Sequence, residues 1–85
     1  MEIEYTSHFK RAYQGLDRLV QKRAEEKELI FRKNPFHSKL KSHKLKGELR
    51  EFYSFSIDRK NRVVFKFMGH QRVVFLDVGD HDVYR

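Results

Sequence analysis

Hydrophobic and polar positions alternate in three places and recur at helical spacing in two, and these patterns divide the chain. Ile3 and Tyr5 alternate with Glu2 and Glu4, which predicts a short first strand with one buried face. Thr6 or Ser7 can then cap a helix whose apolar positions Phe9, Ala12, Tyr13 and Leu16 follow i, i+3, i+4, i+7 spacing. Gly15 weakens its end, and Asp17 caps a second helix carrying Leu16, Leu19, Val20, Ala24, Ile30 and Phe31 as its apolar stripe. Asn34-Pro35 stops that helix, because a residue before proline is pushed out of helical geometry.

Beyond the proline the period changes to two. Leu49, Tyr53, Phe55 and Ile57 alternate with Arg50, Ser54, Ser56 and Asp58. Asp58-Arg59-Lys60-Asn61 reads as a turn. Val63, Phe65 and Phe67 then alternate with Arg62, Val64, Lys66 and Met68. A second turn at 68–71 leads into a last strand over 72–78, and residues 43–47 can add a short extra strand. The order is β-α-α-β-β-β, an α+β fold with a helical hairpin on one face of a small, mainly antiparallel sheet. Strands joined by tight turns pair antiparallel. With both helices on one side, the other face should stay open and carry Ser54, Ser56, Arg62 and Lys66.

Eighty-five residues leave room for one domain, residues 1–85, and burial in so short a chain relies on large side chains. Eight Phe and four Tyr supply them. With no cysteine, neither a disulfide framework nor a thiolate metal site is available. The polar, acidic opening is unlike a signal peptide, and no apolar run approaches the roughly 18 residues of a membrane span. A cytoplasmic protein without membrane attachment is expected.

Charge changes the picture further. The net charge is +7, and +4 of it falls between residues 34 and 50. There Lys39, Lys41, Lys44, Lys46 and Arg50 face only Glu48, the footprint of a polyanion-binding surface. A solvated basic loop or an acidic protein partner fits the same charge. His43 lies inside the cluster, where neighbouring lysines disfavour imidazolium and leave a proton acceptor. His81 lies between Asp80 and Asp82, which favour its protonated form. Such a pair suits general base and general acid catalysis, although taken alone His43 reads more readily as a surface loop residue and His81 as an ion pair at the chain end. Arg62 opens a strand and can brace a phosphate or pair with Asp58. Tyr84 can stack on a base or plug the core. His8, His37 and His70 have no comparable partners and read as helix-surface, loop and turn residues. No phosphate loop, nucleophile elbow or zinc helix is present, His37 and His43 lack carboxylates at a ligand spacing, and no cofactor is expected.

The helical hairpin ending in NPF, then HKLKGELREFYSFSI, NRVVF and LDVGDHDVYR, together resemble the RelE/YafQ branch of the RelE/ParE toxins. The resemblance implies an endoribonuclease that cuts mRNA in the ribosomal A site and is neutralised by a cognate antitoxin. Mapped residue by residue, it implies His43 as general base, Arg62 as phosphate brace and His81 in acid or leaving-group duty. Tyr84 would orient substrate, and Lys44 and Lys46 would hold the RNA backbone. Ser56 departs from relatives carrying His or Arg, and Lys60-Asn61 replaces the Asp-Trp of YafQ. Two other readings share the fold: a ParE-like toxin that binds DNA gyrase, and an inactive relative that binds only its antitoxin. The charge favours a free toxin that is monomeric.

Overall fold

The computed structural model describes residues 1–49 and 51–80. Strand β1 (Glu2–Tyr5) leads to helices α1 (Ser7–Gln14) and α2 (Arg18–Lys33). A 3-10 turn (Ser38–Leu40), the two-residue strand β2 (His43–Lys44) and a second 3-10 turn (Gly47–Leu49) follow. Strands β3 (Tyr53–Ser56), β4 (Arg62–Phe67) and β5 (Arg72–Gly79) complete the described fold. The sheet order is β1-β5-β4-β3-β2, antiparallel throughout except for the parallel pairing of β1 with β5. The element order and class read from the sequence are those observed.

Local chemistry sets the boundaries. Thr6 caps α1 by accepting from the Phe9 amide (2.9 Å), while its hydroxyl donates to the Leu76 carbonyl (3.1 Å). One side chain thus starts the helix and ties it to β5. Asp17 caps α2 through the Leu19 amide (3.2 Å). The β3–β4 turn closes on Asp58, whose Oδ1 accepts from the amides of Lys60 (2.9 Å) and Asn61 (2.8 Å). Burial pushes the Asp58 carboxyl up, but the hydrogen bonds from Asn61 and Lys60, with the Arg23 guanidinium at 3.5 Å, outweigh it. The net result lies below the usual carboxylate range.

The core lies between the helices and one sheet face. Phe31 of α2 meets Phe65 (4.9 Å), Phe55 (5.1 Å) and Phe75 (5.3 Å), centroid to centroid, and Phe9 of α1 reaches Phe75 at 5.5 Å. Leu19, expected in the buried stripe, is exposed. It lies five residues before buried Ala24, about 140° around the helix, and so points away from the sheet. Leu49 belongs to a turn rather than β3.

The face away from the helices is less open than expected. Ser54 is fully buried, and Val64 and Leu45 are nearly so. The pairing puts Ser54 opposite Val64, and Val64 opposite Asp77, so these residues share a row on that face. Val64 and Leu45 stand apart from the main core cluster. A β-bulge beside Val64/Phe65 brings Val78 opposite Val63 and into the core.

Candidate nucleic-acid interface and catalytic face

His43 is placed by β2, the edge strand, where it pairs with Ser54. Its exposed ring turns back on the chain, Nδ1 lying 3.3 Å from the Lys41 carbonyl. A carbonyl can only accept, so Nδ1 carries the proton of that bond. Nε2 is then the lone-pair nitrogen of the neutral ring, the one able to take a proton. Lys41 adopts a left-handed conformation (φ 52°) that makes this turn back possible, and Gly47 at φ 69° makes the bend after HKLK. Beyond the bend the chain returns, the Leu45 amide donating to the Phe52 carbonyl (2.9 Å).

Arg62 opens the central strand β4 opposite Ser56, on the same face as His43. With strands about 4.8 Å apart and residues rising about 3.4 Å each, the two Cα atoms stand about 12 Å from one another. Long side chains can span that gap across a phosphate. Its Nη1 donates to the backbone carbonyls of Asp58 (3.0 Å) and Asn61 (3.4 Å). The expected pairing with Asp58 therefore goes to its carbonyl, because the carboxylate is engaged by the turn and by Arg23. The same aspartate that closes the turn positions the guanidinium.

Lys39, Lys41, Lys44 and Lys46 are all exposed and flank His43 in the chain, with Lys44 on the opposite side of β2. Among the described residues, none of these four ammonium groups has an acidic partner within ion-pair distance. Arg50, His81 and Tyr84 lie outside the described residues.

One contact was not anticipated. His8, expected to be a bare helix-surface residue, places Nε2 3.1 Å from the Asp77 carboxylate. Helix α1 starts beside the far end of β5, so residues remote in sequence meet at the sheet edge; no local pattern signals this. His37 also has a partner, its Nδ1 accepting from the Lys39 amide (3.0 Å) to cap the 3-10 turn.

Two cavities differ in character. One, of about 420 Å³, lies under the helical hairpin among Phe9, Tyr13, Ala24, Phe55 and Phe75, and holds neither histidine nor arginine. Tyr13 on its rim is pushed up to about 12 by burial and by its hydrogen bond to Glu25. The other, of about 380 Å³, is a basin formed by Lys44, Glu51, Tyr53, Lys66 and Phe67, next to His43 in the chain. Among the described residues, no three His, Asp or Glu side chains cluster as metal ligands, and no helix is long and apolar enough to cross a membrane.

A two-helix, five-stranded α+β layer is the fold of the RelE/YoeB toxins. Individual solved structures bear out that fold. A YoeB/ParE toxin from Agrobacterium tumefaciens superposes with a TM-score of 0.81 at 21% identity, covering 95% of this chain and 99% of that one. YafQ from Escherichia coli BL21(DE3) gives 0.76 at 16% identity, covering 98% and 96%. The toxin–antitoxin complex RelBE2 from Mycobacterium tuberculosis gives 0.78 at 18%, covering 94% and 96%. No protein-family model and no curated protein matches the chain. The resemblance read from NPF, HKLKG, NRVVF and GDHDVYR thus holds at the level of the fold.

Proposed function

We propose that this protein is the toxin of a type II toxin–antitoxin pair and a metal-independent endoribonuclease that cleaves mRNA in the ribosomal A site. The observation that carries this reading is His43: its Nδ1 is tied to a backbone carbonyl, its Nε2 is left to accept, and four exposed lysines flank it in the chain. Nε2 takes the proton of an RNA 2′-hydroxyl as that oxygen attacks the adjacent phosphorus. The P–O5′ bond breaks, and the 5′-oxygen leaves with a proton supplied by His81. The products are a 2′,3′-cyclic phosphate and a 5′-hydroxyl end. Arg62 holds a non-bridging oxygen as negative charge builds in the transition state, and Tyr84 orients the substrate. Lys39, Lys41, Lys44, Lys46 and Arg50 hold the RNA backbone.

The fold neighbours support an antitoxin partner, since RelBE2 is a toxin–antitoxin complex and YoeB of Staphylococcus aureus is paired with YefM. The protein acts in the cytoplasm, where ribosomes and the antitoxin meet it, and is monomeric when free. Induction without antitoxin should stop growth and leave mRNA cut at a fixed codon position within translated regions, with 5′-hydroxyl ends. The gyrase-binding alternative shares the fold, and one fold neighbour bears the joint name YoeB/ParE toxin. Growth arrest with intact mRNA and DNA-damage signalling would establish that alternative and remove the nuclease.

A further inference from the structure

The chain places an exposed aromatic ring where the core would be expected to end. Phe36, just beyond α2, is 55% exposed. It stacks on Phe67 (5.9 Å, 29°) and meets the edge of Tyr53 (6.0 Å, 72°). Its backbone is held: the Phe36 amide donates to Asn34 Oδ1 (3.0 Å), and the Pro35 carbonyl accepts from the Ser42 hydroxyl (2.6 Å). One ring face is therefore fixed against Phe67 while more than half of the side chain remains in water. Tyr53 and Phe67 also line the 380 Å³ basin, together with Lys44 and Lys66.

We infer that Phe36, Tyr53 and Phe67 form a nucleobase-stacking subsite for single-stranded RNA, with Lys44 and Lys66 gripping the flanking phosphate. Flat rings beside ammonium groups match the two parts of a nucleotide, since stacking is tolerant of base identity and the cation takes the backbone. Lys66 holds only weak contacts, Glu51 at 3.6 Å, itself mostly exposed, and the Phe52 ring at 5.9 Å, and a phosphate displaces the ion pair.

Position argues the same way. Lys44 pairs with Tyr53, and His43 with Ser54. Alternation puts His43 and Lys44 on opposite sides of an edge strand only two residues long. An RNA strand crossing that edge presents a phosphate to His43 on one side and an adjacent base to Tyr53 and Phe67 on the other. Lys66 reaches the basin from the His43 side of β4. The inference rests on the ribonuclease reading and adds to it the place where a neighbouring base is held.

The test is equilibrium binding, read by fluorescence anisotropy, of a single-stranded hexanucleotide whose 2′-O-methyl groups block cleavage. Abasic versions, one position at a time, are the comparison. Phe36→Ala should weaken binding of the intact hexamer about tenfold, and Phe36→Trp should restore it. For the unsubstituted protein, one abasic position should cost a similar factor, and at that position Phe36→Ala should add nothing. Phe36→Leu, which preserves bulk without the π-face, should bind like Phe36→Ala and controls for any loss of folding. Equal losses on intact and abasic oligomers, or none on either, would overturn the subsite. So would unchanged RNA binding with weakened binding of the purified cognate antitoxin, which would make the patch a protein-docking surface. Cleaved cellular mRNA with no base-dependent effect of Phe36 defeats this inference alone; intact mRNA with no hexamer binding defeats the nuclease reading as well.

Discussion

On the helical side of the sheet, Phe55, Phe65 and Phe75 close around Phe31 with almost no exposure, and among the described residues their side is apolar except at its rim. On the other side the same strands carry Ser56, Arg62 and Lys66, and the edge carries His43. The first side gives the domain its packing. The second keeps a small buried patch, Ser54 with Val64, and around it cations that, among the described residues, have no acidic partner within ion-pair distance or a weak one. In a domain this small, one face supplies the stability that lets the other remain charged.

The sharpest way to break that division is at its centre. Phe31→Ala should destabilise the protein by about 3–5 kcal/mol, measured by urea unfolding, because the ring is fully buried among three others. Small domains are commonly stable by only about 5–15 kcal/mol, so that variant should be close to unfolding. A loss under 1 kcal/mol would mean that the helices are not held to the sheet by this cluster.

His43→Ala should do the opposite. The ring is exposed, so the unfolding midpoint should stay within experimental error, while mRNA cleavage falls by about 10²–10⁴-fold. If the variant cleaves at the original rate, His43 is not the base.

Asp58 sits where the two sides meet, since it pairs with Arg23 from α2 and shapes the turn that holds Arg62. Asp58→Ala should cost about 1–2 kcal/mol of stability and also slow cleavage. The pH dependence has a definite sign. The folded carboxyl titrates below its unfolded value, so its contribution is complete at neutral pH. It begins to fade once the unfolded chain protonates, near pH 4, and is gone below the folded value. Urea midpoints of Asp58→Ala and the unsubstituted protein should therefore converge as pH falls from 7 to 3. A constant gap across that range would separate the turn's stability from the carboxylate charge.

Elements and their order were legible in the sequence because alternation and helical spacing report burial directly, and the Asp17, Thr6 and Asp58 turns act locally. The candidate site was legible where charge and motif coincide, at His43 and its lysines. Three features were not. Ser54 and Val64 look like an open, polar-edged face in an alternating strand, and only the assembled sheet buries them. The His8–Asp77 contact joins chain segments that meet only through the parallel β1–β5 pairing and the start of α1. Phe36 reads as a stray hydrophobic after a helix-ending proline, and its role depends on Tyr53 and Phe67 arriving from the sheet.

The smallest effect concerns the lysines, and it tests whether charge position or charge amount matters. A cation that contacts phosphate releases counterions on binding; one elsewhere on the surface acts only through the screened net charge. Lys44→Gln and Lys46→Gln should each reduce the steepness of the log affinity against log salt line for single-stranded RNA by about 0.7. Lys22→Gln removes the same charge from the exposed side of α2 and should leave the slope unchanged. Equal slopes for all three variants would mean that RNA senses only the net charge of the protein, and the basic edge around His43 would lose its standing as an interface. A change confined to Lys44 and Lys46 would fix the backbone path across β2, beside the histidine proposed as general base.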